Sequence, residues 1–153
     1  MKTETTNQIE VINDLLRINL DRVEGYEKAA GQTRDEDQDL RRIFQAMANQ
    51  SQDFASELRK FVYRDGGEPE NNSTTAGKLY RTWMDLKVVF TGKDRKAILS
   101  SCEFGEDAAL KAYRTALKDP DTSDPNLRMV LTDQETKLRA AHDQIKQLRD
   151  QQN

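Results

Sequence analysis

The chain has 153 residues, of which 35% are hydrophobic and 33% are charged. This length suits a single domain. The mean hydropathy is −0.91, and no apolar run approaches the ~20 residues of a membrane span. The 24 basic and 27 acidic residues leave a net charge of −3, which argues against a nucleic-acid partner. A single cysteine and a single histidine exclude disulfide scaffolds and Cys/His zinc sites.

The first six residues are polar and lack the apolar core of a secretory signal. The lone cysteine, Cys102, fits a reducing compartment. We therefore expect a cytoplasmic protein with no membrane partner.

Apolar residues recur at intervals of three and four along most of the chain, which predicts an all-α fold. The predicted helices cover about 7–30, 34–65, 74–91, 94–118 and 125–150. Capping residues predict the helix starts: Asn7 with Glu10, Thr33 with Glu36, Asp94, and Asp124 followed by Pro125. Glycines predict the ends of the first three helices: Gly31, the Gly66–Gly67 pair, and Gly92.

Four of these helices are long and one is short. The link between the first two is too short for anything but an antiparallel hairpin. The short helix at 74–91 can carry the chain back along the bundle, so the second and third long helices run the same way. This is the connectivity of a ferritin-like four-helix bundle with a short extra helix in the crossover.

Each long helix carries one polar residue near the middle of its apolar stripe. They are Asn19, Ser51, Glu106 and Gln134. With crossover connectivity these four fall at a similar height, so we expect them to form a buried polar layer. A buried carboxylate needs donors or a proton, and the amide and hydroxyl groups of the other three are the expected donors to Glu106.

Two charged residues flank this layer. Glu103 and Lys137 each lie about 60° off the centre of their stripe, given about 100° per helical residue, so either side chain could reach inward. Lys137 could then pair with Glu106. We interpret the six residues as a candidate binding layer, whose simplest role is to fix the register of the helices.

These positions differ from those of a diiron centre. A diiron bundle uses one Glu from each of two helices and Glu-x-x-His from each of the other two. Here only the helix at 94–118 keeps inward carboxylates, Glu103 and Glu106, and His142 lies about two turns from Gln134. We therefore expect no cofactor and a non-catalytic protein. The alternative is a degenerate or mononuclear metal site at Glu103 and Glu106, with iron or another divalent ion and oxidase or peroxidase activity.

Several motifs then suggest a family. They are Asn13-Asp14-Leu15, Gly25-Tyr26 with Ala29-Ala30, Arg81-x-Trp83-x-x-Leu86-Lys87, Cys102-Glu103-x-Gly105-Glu106-Asp107 and His142-Asp143-x-Ile145-Lys146. Over nearly its whole length the chain resembles the bacterial ferritin-like four-helix-bundle proteins of unknown function. The resemblance implies a ferritin-like bundle and a bacterial origin, and it implies no particular reaction.

Other residues receive simpler interpretations. Trp83 is predicted to pack the short helix onto the bundle, Cys102 to be a small buried hydrophobic residue, and Tyr26 and Tyr113 to lie at the edge of the core. A third hypothesis is a small-molecule site in a cavity beside Gly105 and Trp83, for a ligand that the sequence does not identify. Pairing of two copies through the short helix or the loops also stays open.

Overall fold

A computed structural model describes residues 4–71 and 95–152. It contains four long α-helices and one 3-10 turn: α1 (Glu4–Gln32), the turn (Asp35–Asp37), α2 (Gln38–Arg64), α3 (Arg95–Lys118) and α4 (Pro125–Asp150). The all-α prediction is confirmed, and the predicted helix limits agree to within a few residues. The predicted short helix at 74–91 lies outside the described residues.

The directions of the helices follow from contacts at the two ends of the bundle. At one end, the Gln8 side chain near the start of α1 donates to Asp65, just after α2, and accepts from the backbone N–H of Asp124, just before α4. At the other end, Arg95 at the start of α3 donates to Asp39 at the start of α2. Helices α2 and α3 therefore run in one direction and α1 and α4 in the other, which confirms the ferritin-like connectivity.

The core consists of two apolar clusters with polar side chains between them. The first cluster lies toward the end that holds Asp65 and includes Ile12, Leu58 and Leu131. The second lies toward Arg95 and includes Phe44 and Leu99. Apolar burial of this kind is the main source of stability in a helical bundle, and the polar side chains between the clusters are held in place by packing on both sides.

Three of the predicted helix-boundary signals were wrong. Helix α1 begins by Glu4, so Asn7 and Glu10 lie inside it instead of forming a capping box, and it continues through Gly31 to Gln32. At the next boundary the residue before the 3-10 turn is Arg34, with no side-chain cap. The Thr33 hydroxyl instead donates to the carbonyl of Ala30.

The other described boundaries follow the predicted chemistry. Helix α2 ends at Arg64, and Gly66 has a φ of +83°, a left-handed conformation that favours glycine. Asp124 caps α4 by accepting from the backbone N–H groups of Asn126 and Leu127, with Pro125 in the first turn. Within the described residues, no helix is both long enough and apolar enough to cross a bilayer.

A buried polar centre as the candidate functional site

The four polar residues that interrupt the apolar stripes all lie in the interior. Asn19 is 1% exposed, and Ser51, Glu106 and Gln134 are fully buried. One comes from each helix, in the order α1, α2, α3 and α4. Because helix spacing places each of them in the apolar stripe, the chain has no means of turning these side chains to solvent without exposing its core.

Arg22, which was not predicted from the sequence, joins this group. Its guanidinium is 1% exposed, and Nε donates to Glu106 Oε1 at 2.6 Å. Nη1 donates to Ser51 Oγ at 2.8 Å and to the carbonyl of Met47 at 3.4 Å. The centre of the bundle therefore contains a buried ion pair between α1 and α3, with further hydrogen bonds to α2.

Tyr26 completes the surroundings of the carboxylate. Its hydroxyl donates to Glu106 Oε1 at 2.6 Å, and its ring lies 5.2 Å from the guanidinium carbon of Arg22. The prediction that neutral amide and hydroxyl groups of Asn19, Ser51 and Gln134 would bind Glu106 is wrong in its donors, because a cation and a phenol take that role. Tyr26 is also fully buried and does not lie at the core edge.

The other polar side chains form a continuous hydrogen-bonded chain. Ser51 Oγ donates to Asn19 Oδ1 at 2.9 Å, and Asn19 Nδ2 donates to the Tyr113 hydroxyl at 2.8 Å. Tyr113, which is fully buried instead of lying at the core edge, donates in turn to Gln134 Oε1 at 2.6 Å. Through Arg22 and Ser51, this chain links Glu106 to all four helices.

Burial and charge set the ionisation of the centre. Burial disfavours the charged form of Arg22, but the attraction of Glu106 outweighs it and the pKa of the Arg22 guanidinium is raised. Burial, followed by the charge of Glu106, raises the pKa of Tyr26 well above its usual value. Burial likewise raises the pKa of Tyr113. Arg22 thus remains a cation and both phenols remain neutral hydrogen-bond donors near neutral pH.

Glu106 uses its two oxygens unequally. Oε1 accepts from both Arg22 and Tyr26, while Oε2 is buried and accepts from no group among the described residues. The outer nitrogen of the guanidinium, Nη2, is also weakly paired, since its contact is the sulfur of Met47 at 3.5 Å. The ion pair is therefore held by one carboxylate oxygen instead of by the two parallel bonds of a bidentate Arg–Glu pair.

The two flanking candidates do not join the centre. Glu103 is 14% exposed and pairs with Arg149 near the end of α4. Lys137 points to solvent, where its ammonium lies 3.0 Å from Asp133. The expected pairing of Lys137 with Glu106 is therefore wrong. The inward carboxylate of α3 is Glu106 alone.

Two other residues singled out in the sequence lie on α3 and α4, and the predicted burial of Cys102 is confirmed. Cys102 is fully buried on α3. His142 is partly buried, with Nε2 at 2.8 Å from Asp107 Oδ1 and Nδ1 at 3.2 Å from Asp143 Oδ1. Trp83 lies outside the described residues.

The spacing of α1 contained a signal for Arg22. Leu15, Asn19, Arg22 and Tyr26 follow one another at intervals of four, three and four, so all four share one face. Val23, the neighbour of Arg22, fits an apolar stripe as well, and the pattern favours it because arginine is almost never fully buried unless it is paired. No feature of α1 alone identifies the pairing partner, which lies 84 positions away.

Comparisons with known proteins agree with this architecture. A family profile described as "Domain of unknown function (DUF2383)" matches residues 7–119. No curated protein matches the chain. Among solved structures, the chain is similar to one titled "Crystal structure of ferritin like, diiron-carboxylate proteins from Bacillus anthracis str. Ames". The two share 17% identity over 100% of each chain with a TM-score of 0.71, which shows a common fold.

Proposed function

Since the chain belongs to the DUF2383 family, which has no known function, we propose that it is a non-catalytic ferritin-like bundle with a structural or partner-binding role. The observation that carries this proposal is the buried pairing of Arg22 with Glu106. In the described bundle a protein cation neutralises the central carboxylate. A diiron bundle leaves that task to metal ions held by several carboxylates.

The residues of the centre do not fit a diiron site. The helices α1, α2 and α4 supply Asn19, Ser51 and Gln134, where a diiron bundle supplies glutamates and histidines. Among the described residues, no group of three or more His, Cys, Asp or Glu side chains is placed to hold a metal ion. A positively charged guanidinium 2.6 Å from Glu106 also opposes the approach of a divalent cation.

The alternative of a mononuclear metal site at Glu103 and Glu106 is less well supported. Each of the two carboxylates already accepts from an arginine, Glu103 from Arg149 and Glu106 from Arg22. The two glutamates lie three residues apart on α3, but one faces the interior and the other pairs near the surface. A metal ion at this position would have to displace both ion pairs.

A structural role gives the polar centre a purpose that fits its geometry. These hydrogen bonds form only when the four helices stand at one relative height, because each bond joins two different helices. Buried polar groups of this kind cost stability when they are mispaired and so favour one register over others. A bundle with a fixed register presents a constant surface to a partner or to a second copy.

Metal analysis of the purified protein tests the proposal. Protein from an iron-supplemented culture is analysed by mass spectrometry for bound elements and then titrated with Fe(II) under anaerobic conditions. We expect substoichiometric metal and no saturable binding. When air is then admitted, we expect no oxygen consumption above that of free iron.

Two variants give this experiment a matched comparison. Glu106→Gln removes the central carboxylate, and Glu135→Gln removes a buried carboxylate on α4 that pairs with Arg139. Stoichiometric iron that is lost in Glu106→Gln and kept in Glu135→Gln would overturn the proposal in favour of the metal site.

A further inference from the structure

The surroundings of the Arg22 guanidinium have the shape of a binding site for a planar cation. Acceptors meet it on different edges: Glu106 Oε1 at 2.6 Å from Nε, and Ser51 Oγ and the Met47 carbonyl at 2.8 and 3.4 Å from Nη1. These groups come from α3 and α2, whereas Arg22 belongs to α1. The acceptors of its hydrogen bonds therefore lie on helices other than its own.

One face of the cation is also covered. The Tyr26 ring lies 5.2 Å from the guanidinium carbon, within the range of a cation–π contact. The Met47 sulfur lies 3.5 Å from Nη2. A ring face and a soft sulfur suit a weakly hydrated, delocalised cation better than a compact, strongly hydrated ion such as ammonium or a divalent metal.

We propose that the centre of the bundle is a binding site for a guanidinium-type cation, with Arg22 as its permanent occupant. The proposal rests on the non-catalytic function proposed above, because it assigns to the side chain of Arg22 the place that a bound cation takes in a metal-containing bundle. Removing the side chain beyond Cβ leaves the carboxylate, the hydroxyl, the carbonyl and the phenol ring in place for an added cation.

Chemical rescue of an Arg22→Ala variant tests the proposal. Its thermal midpoint is followed by circular dichroism while guanidinium chloride is raised from zero to tens of millimolar, well below denaturing concentrations. We expect the Tm of the variant to rise by at least about 4 °C and then to saturate, as ligand binding to the native state requires. Wild type and Arg17→Ala, which removes a partly exposed arginine, should show no rise.

Three additions define the chemical class of the ligand. Urea has the same planar shape without the charge, sodium chloride supplies ionic strength, and Mn(II) supplies a compact cation. None of the three should raise the Tm of Arg22→Ala. The double variant Arg22→Ala/Glu106→Gln should lose the response to guanidinium, because its anionic acceptor is gone.

A second variant keeps the test decisive if Arg22→Ala is unfolded without ligand. Arg22→Lys retains the charge but lacks the planar fork, and its Tm should fall below that of wild type. The proposal would be overturned if guanidinium gave Arg22→Ala neither a saturable rise in Tm nor a saturable recovery of helicity. It would also be overturned if urea produced the same response as guanidinium. Wild-type stability of Arg22→Lys would overturn it as well.

These outcomes are separate from those of the metal analysis. Iron bound by the wild-type protein contradicts the non-catalytic function whatever guanidinium does. A metal-free wild type with no rescue of Arg22→Ala contradicts the cation site alone.

Discussion

Removing either partner of the central ion pair should be far more damaging than removing both. Glu106→Gln leaves the Arg22 guanidinium buried without an anion, and Arg22→Met leaves Glu106 buried without a cation. Each single substitution should lower the free energy of unfolding by about 3–5 kcal/mol, the usual cost of an uncompensated buried charge. The double variant Arg22→Met/Glu106→Gln should lose less than either single variant.

The magnitude follows from the burial of the pair. Both side chains are no more than 1% exposed, so water screens neither charge. Unit charges about 4 Å apart attract by about 4 kcal/mol at an effective dielectric constant of about 20. Replacing both charges removes this attraction and also removes the cost of desolvating two ions. These two contributions have opposite signs and nearly cancel. The coupling energy between the two substitutions should therefore be at least about 3 kcal/mol.

Urea unfolding followed by circular dichroism measures the free energy of unfolding of each of the four proteins in this double-mutant cycle. A loss of about 3–5 kcal/mol should lower the thermal midpoint of a chain of this size by roughly 6–20 °C. Lys137→Ala serves as a control, since Lys137 pairs only at the surface with Asp133 among the described residues, and it should leave the free energy of unfolding essentially unchanged. The pair would be shown to be hydrated if the losses in unfolding free energy of the two single variants simply added in the double variant, or if each single variant lost less than about 1 kcal/mol.

Four more substitutions give further predictions. Burial and the charge of Glu106 raise the pKa of Tyr26, so the phenol's contribution to stability is present below the unfolded pKa of about 10 and is lost as the pH rises above it. Tyr26→Phe should lower the free energy of unfolding at pH 7 by about 1.5–3 kcal/mol and should weaken the loss of stability between pH 9 and 11, both measured by urea unfolding. An unchanged alkaline slope would count against this. The hydrogen bond from Arg95 lowers the pKa of Asp39 to about 2, so the stabilisation is present above pH ~4 and disappears as the pH falls toward 2. Arg95→Ala should therefore be slightly less stable than wild type above pH ~4, and this difference in stability should shrink as the pH falls. A difference that stays constant would refute the pairing. Gly31→Ala, where an added Cβ meets nothing within 4 Å, should raise the thermal midpoint slightly. Gly66→Ala, at a φ of +83°, should lower the thermal midpoint. Shifts of the thermal midpoint in the same direction for both variants would contradict the assigned helix ends.

The fold was largely predictable because helix-forming information is local. Three- and four-residue spacing defines each stripe, and the end signals at Gly66 and Asp124 act within a few residues of the boundary they set. The wrong boundary signals, at Asn7, Gly31 and Thr33, have a local cause too. Acceptable capping residues occur inside helices as well as at their ends, so the sequence pattern alone does not locate the cap.

The central ion pair was predictable only in part. A polar residue in the middle of each apolar stripe correctly indicated that Asn19, Ser51, Glu106 and Gln134 are buried. The pairing of Glu106 with Arg22 depends on how two helices rotate against each other, which no single helix encodes. Lys137 was the nearer candidate cation by position on its stripe, but a partner one turn away, Asp133, holds it at the surface.

Diffraction data collected at the iron absorption edge, from crystals grown with excess Fe(II), test the central claim most directly. The account predicts the Arg22 guanidinium within hydrogen-bond distance of Glu106 and no anomalous peak at that carboxylate. An anomalous peak bound to Glu106, with Arg22 turned away from it, would contradict the account.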